Sequence, residues 1–166
     1  AAGQFQEFLK HPPPRQWTLL RNSRRFDNWS FCELLLDTGF DAIYDDPHRT
    51  LDLCRMGVAI AERLSPEGYG ERAIEDLRAR AWGRVANALR ATSDLAGAEE
   101  ALTTAARHLK VGSGEPLEEA EHLYFTASLH RAKRRLDEAL RAIHRSRRIY
   151  RMVGDQHLEG RSLMCE

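Results

Sequence analysis

Apolar residues recur along this chain at the spacing of one helical face, and the clearest run lies between residues 82 and 105. Trp82, Val85, Ala86 and Leu89 stand at i, i+3, i+4 and i+7, and after Asp94 the residues Ala98, Leu102 and Ala105 form a second stripe. This predicts two amphipathic helices folded back on each other. Ala86 and Ala98 are small enough for the backbones to approach, while Trp82 and Leu102 fill the space where the pair diverges. Upstream, Asp46 reads as an N-cap and Pro47 as the first helical residue of a helix with Leu51, Cys54, Val58 and Ala61 on one face. Its partner is the segment from about Asp27 to Phe40. Breaks fall at residues 65–70, 92–94 and 111–116, and no alternating strand pattern competes, so the expected class is all-α.

The pattern repeats. A shift of 41 residues lays Leu123, Thr126, Ala127 and His130 on the first stripe and Ala139, Ile143 and Ser146 on the second. Another shift of about 40 brings Gly154-Asp155 to a turn and Leu163 to the position of Trp82. These residues resemble the tetratricopeptide repeat (TPR). Trp82 stands at its Trp, Val85-Ala86 at its Leu-Gly, Leu89 at its Tyr, and Ala98, Leu102 and Ala105 at the Ala, Phe and Ala of the second helix. Lys110 stands where the closing Pro would fall, which leaves open where that second helix stops. The resemblance implies a right-handed superhelical stack of antiparallel helix pairs, an α-solenoid. The spacing exceeds the family's 34 by about seven residues, or roughly 10 Å of helix shared between the two arms. Longer arms of this kind resemble those of bacterial regulatory and scaffold proteins.

Units are expected over residues 27–65, 68–110 and 115–153, with a partial one over 155–166, and residues 1–26 as N-terminal capping helices. In that cap, Phe5 to Lys10 is a short amphipathic piece, the prolines at 12–14 break it, and Arg15 to Phe26 reads as a helix with Trp17 and Leu20 inward. An apolar content of 42% with 30% charged residues fits a soluble globular chain of 166 residues. No apolar run reaches 18 residues, and there is no charged-then-apolar leader. Cys32, Cys54 and Cys165 lie far apart without zinc spacing, which favours a cytoplasmic setting over a disulfide framework, and Cys54 reads as a small core residue. The chain starts without Met and stops inside an expected helix, so it reads as part of a longer polypeptide.

Candidate chemistry is sparse. The chain has no phosphate loop, nucleophile elbow or His-Glu-x-x-His, so neither an enzyme nor a cofactor or metal is expected. Glu118 with His122 and His157 with Arg161 read as solvated i,i+4 pairs. The doublets Asp45-Asp46 and Glu99-Glu100 read as helix-start residues. The net charge is zero, but nine Arg and Lys between Arg131 and Arg151 face only Asp137 and Glu138, and Arg21, Arg24 and Arg25 form a smaller cluster. Such a segment could hold nucleic acid or an acidic protein, although no aromatics interleave with it.

The TPR resemblance implies a concave groove lined by first helices. On the 82 helix it points to Arg80, Arg84, Asn87 and Arg90, and on the 123 helix to Glu121, Tyr124, Ser128 and Arg131. Asn87 falls where groove asparagines of peptide-binding members grip a ligand main chain. The arginines would attract a carboxylate, and Tyr124 would supply an apolar wall with a polar tip. The expected function is a non-catalytic scaffold that docks a partner peptide or helix. A peptide-sensing regulatory domain and nucleic-acid binding through residues 131–151 are the alternatives. Self-association is a further use, because the last helix exposes Leu158 and Met164.

Overall fold

The computed structural model describes residues 2–163, which are all-α, with no strand among them. The helices are α1 (Ala2–Leu9), α2 (Pro13–Asn22), α3 (Trp29–Asp41), α4 (Pro47–Ala61), α5 (Glu71–Ala91), α6 (Leu95–Val111), α7 (Pro116–Ala132), α8 (Leu136–Val153) and α9 (Gln156–Leu163). Consecutive helices pack as pairs: α3 on α4, α5 on α6, α7 on α8. Each pair also meets the next, through α3 and α4 with α5, and through α5 and α6 with α7.

Helix starts follow local chemistry. The side chains of Asn28, Asp46 and Asp94 accept from the backbone N–H groups of Phe31, Arg49 and Gly97, each at 2.9 Å, and so satisfy one orphan donor of α3, α4 and α6. Pro47 and Pro116 open α4 and α7, where a missing N–H costs nothing. The second helix of the central pair stops at Gly112, whose added Cβ would lie 2.0 Å from Asp76 Oδ1. Asp76 in turn accepts from Ser113 N at 3.0 Å and fixes the loop before α7. This is what ends α6 in the absence of a closing proline.

The 41-residue spacing is visible in the backbone. Among the described residues, Ser93 and Arg134, 41 apart, are the non-glycine residues with positive φ, at 67° and 58°. Each corner carries the same hydrogen bonds one spacing apart: Thr92 N to Ala88 O and Lys133 N to Leu129 O, then Asp94 N to Leu89 O and Arg135 N to His130 O. The small residues behave alike, with Ala86, Ala127, Ala98 and Ala139 all buried. In the first pair, Gly39 and Thr50 take that role. A Cβ on Gly39 would come within 3.3 Å of the Thr50 carbonyl oxygen, and Thr50 Oγ1 donates to Gly39 O at 2.8 Å. Ser146, at the position of Ala105, is buried because its hydroxyl donates to Ala120 O at 2.7 Å.

Trp82 departs from expectation. It is only half-buried and forms, with Val58, Val85 and Leu89, the apolar floor of a cleft of about 430 Å³ between α4, α5 and α6. Fully buried large side chains include instead Tyr150, Phe8, Phe26, Phe31 and Phe125. Phe8, Phe26 and Phe31 belong to an N-terminal cluster in which Phe5 and Phe8 of α1 pack edge-on to Phe31 of α3, at 5.5 and 5.2 Å between centroids. The first 26 residues therefore cover the α3 end, but the inward residues of α2 are Gln16 and Leu20, with Trp17 half-buried. Gln16 is tolerated inside because its Nε2 donates to Phe8 O at 3.0 Å. On α4, Thr50 is buried and Leu51 only half-buried, while Cys54, Val58 and Ala61 are buried as expected. In the weaker copy, Thr126 and His130 are half-buried, in keeping with their polarity. The side chains of Arg161 and Leu163, and all of Met164 and Cys165, lie outside the described residues, and Leu158 is half-buried.

Candidate partner-binding face

Helices α3, α5 and α7 lie side by side, and their polar residues form two rungs across one face. In the first rung Arg80 Nη1 donates to Glu33 Oε1 at 2.9 Å, while its Nε and Nη2 donate to Glu118. The opposite edges of one guanidinium thus serve two helices at once. In the second rung, one turn on, Arg84 Nη2 lies 2.9 Å from Glu121 Oε1 and 3.8 Å from Asp37 Oδ1. The Arg84 guanidinium carbon sits 4.0 Å above the Phe40 ring, a cation–π contact that compensates for buried Nε and Nη1 groups lacking an acceptor.

Two guanidinium groups therefore meet four carboxylates. Their exposures differ: the Arg84 side chain is 12% exposed and that of Asp37 is 67% exposed. The arginines lie beneath and the carboxylates of α3 lie above. Burial disfavours a charged Arg80, but its hydrogen bonds to Glu118 and the charges of Glu118, Glu121 and Glu33 outweigh this and hold its pKa above the ordinary Arg value. Burial pushes the carboxyls of Glu118 and Asp37 above the usual range, and Arg80 and Arg84 respectively offset only part of that rise.

The residues singled out from sequence are placed as follows. Arg80, Arg84 and Glu121 come together in the rungs. Asn87 is buried, and its Oδ1 accepts from Arg90 Nε and Nη2 at 3.1 and 3.0 Å. Its acceptor is thus in use, so what Asn87 offers a partner is its Nδ2 amide hydrogens. Tyr124 is buried with its ring 5.8 Å from that of Phe125, and the Ser128 hydroxyl donates to Tyr124 O at 3.1 Å. Arg131 stands apart from the rungs, exposed at the end of α7. Sequence reasoning missed Glu33 and Asp37. Their spacing of four on α3 matches that of Arg80 and Arg84 on α5, and that match is the signal that pairs them.

The basic segment from 131 to 151 is partly neutralised by neighbouring helices. Lys133 and Arg135 reach Glu99, Arg145 reaches Glu119, and Arg147 and Arg151 reach Glu159. Of the i,i+4 pairs read from sequence, Glu118 is taken by Arg80, and burial lowers the pKa of His122. Among the described residues, no group of three or more His, Cys, Asp or Glu could hold a metal ion, and no helix is long and apolar enough to cross a membrane. Compared with protein families, curated proteins and solved structures, the chain matches none.

Proposed function

We propose that this chain is a non-catalytic protein-interaction module of the TPR type, whose α3, α5 and α7 face receives a peptide segment carrying Lys or Arg. The support for a TPR-type stack is the neighbour-to-neighbour order of the helix pairs and the identical corners 41 residues apart. The charge preference rests on one observation: Arg80 and Arg84 are already neutralised from below, while Asp37 and Glu33 present carboxylates to solvent. A ligand carboxylate would meet those groups first, so the attraction runs toward cations. Asn87 would add a donor for a ligand carbonyl. A cytoplasmic location goes with this reading, because Cys32 and Cys54 are buried free thiols.

Selection from a library of random displayed peptides tests the reading. Enriched peptides should be rich in Lys and Arg, and their affinity should fall about tenfold in the double variant Glu33→Gln/Asp37→Asn, and also in Asn87→Ala. Enrichment of acidic peptides, or affinities indifferent to these variants, would remove the assignment.

A further inference from the structure

The face of α5 opposite the rungs is open. Trp82 stands two residues from both Arg80 and Arg84, about 200° around the helix from each, and lines the cleft between α4, α5 and α6. That cleft holds about 430 Å³, within the range of ligand-binding clefts, and Val58, Val85 and Leu89 complete its apolar floor. Its two walls carry opposite charge. Arg55 stands on the α4 side, and Glu100 of α6, with Asp94 before it, on the other. Arg55 and Glu100 are exposed, and among the described residues neither side chain makes a hydrogen bond or an ion pair. Asp94 is partly engaged, since its Oδ1 accepts from Gly97 N.

The stack does not require an aromatic residue at this place. One spacing of 41 further on, Val58, Trp82, Val85 and Leu89 become Glu99, Leu123, Thr126 and His130. There Leu123 is buried, Thr126 and His130 are half-buried, and Glu99 holds Lys133 and Arg135 of the α7–α8 corner. That gap is polar and tied by ion pairs, whereas among the described residues no ion pair joins α4 to α6. A half-buried indole between two unpaired, opposite charges is more than packing demands, and Trp is a side chain on which binding energy concentrates.

Width decides what can enter. Helices in contact stand about 8–10 Å apart axis to axis, and α4 and α6 both pack on α5, so their axes are no more than about 20 Å apart. Taking off a radius of about 5–6 Å for each leaves an opening no wider than about 10 Å. A helix, about 10–12 Å across with its side chains, is too thick for it. An extended segment, which takes about 5 Å beside a neighbouring strand, is not.

We propose that the cleft between α4, α5 and α6 binds an extended segment of a partner protein in which an aromatic or long aliphatic anchor stands between an acidic and a basic residue. The anchor lies on Trp82, the carboxylate meets Arg55 and the cation meets Glu100. The opposed charges of the walls fix which end of the segment crosses to which helix.

The test titrates the whole, isotope-labelled chain with short peptides, blocked at both ends and centred on Glu-Phe-Lys, Glu-Ala-Lys, Glu-Phe-Glu or Lys-Phe-Lys. Nuclear magnetic resonance follows the indole N–H signals of Trp17, Trp29 and Trp82, the last assigned by its loss in Trp82→Phe. The Trp82 signal should move saturably with Glu-Phe-Lys while the other two stay put, and affinity should fall at least tenfold for each of the other peptides. Arg55→Glu should transfer the preference to Lys-Phe-Lys, and Glu100→Lys should transfer it to Glu-Phe-Glu. Both residues are exposed and unpaired, and unchanged thermal unfolding verifies that these variants are folded. A Trp82 signal unmoved by every peptide overturns the proposal, even where a peptide binds through the α3, α5 and α7 face. Equal affinity across the peptides, or a preference that ignores Arg55→Glu and Glu100→Lys, overturns it too. A Trp82 signal that follows protein concentration with no peptide present would assign the cleft to a second copy of this chain and remove the partner segment.

Discussion

Removing the Arg80 guanidinium should be expensive, and the loss should be recoverable by a second substitution. Arg80→Met keeps the stem that packs between α3 and α7 but leaves Glu118, whose side chain is 10% exposed, as a buried carboxylate near Glu121 and Asp76. Removing one partner of a fully buried ion pair costs about 3–5 kcal/mol. Arg80 is about a quarter exposed, so water recovers part of this and the expected loss at neutral pH is about 2–4 kcal/mol. Adding Glu118→Gln removes the stranded charge, so the double variant should return to within about 1 kcal/mol of the parent. Glu33, on the more exposed side, is rehydrated in either variant.

The pH dependence has a fixed sign. The folded-state pKa of Glu118 is already raised above its ordinary 4.5 by burial, and loss of Arg80 raises it further. The folded protein then binds a proton that the unfolded chain does not, so the deficit of Arg80→Met relative to the parent should shrink as the pH falls from neutrality toward 4.5. Urea unfolding followed by far-UV circular dichroism, run on parent, both single variants and the double variant across this range, measures all of these terms. A loss below about 1 kcal/mol for Arg80→Met, or a double variant no more stable than the single, would refute the view that the rung is a buried, mutually compensating array.

Two further outcomes follow from burial. Trp82→Ala should cost about 1–3 kcal/mol in the same assay, less than the roughly 3–5 for a fully buried aromatic, because Trp82 lines an open cleft; a loss in the higher range would mean that the cleft is closed in solution. The Cys32 and Cys54 thiols are pushed up to about 12 by burial, so both should resist alkylation in the folded protein and react after denaturation, as read by peptide mass spectrometry. Modification of either under native conditions would contradict their placement in the core.

Helix periodicity, caps and breaks were legible in the sequence because they are local. Asp46 and Asp94 cap where their neighbours require it, and the spacing from Trp82 to Leu123 reappears as the spacing of two left-handed corners. What periodicity cannot state is which face of a helix meets which neighbour. Trp82 carries the bulk of a core residue, yet it is only half-buried and forms part of the floor of an open cleft between α4, α5 and α6. Gln16 looks like a surface residue, but it lies inside with its Nε2 donating to a carbonyl eight residues back. The rungs were hidden for the same reason. Arg80 finds its partners 47 and 38 residues away, and the outward arginine face read from sequence becomes a face whose outermost charges are acidic.

The two-sided grip of Arg80 has a mechanical consequence. Because one side chain is held by α3 on one edge and α7 on the other, a rotation of α5 that relaxes one contact must strain the other. Sliding of neighbouring helix pairs is therefore resisted in both directions by the same residue. A segment that draws Glu33 away from Arg80 on one side would leave the guanidinium free to tighten on Glu118, so the joint between the last two pairs would stiffen when the first is occupied.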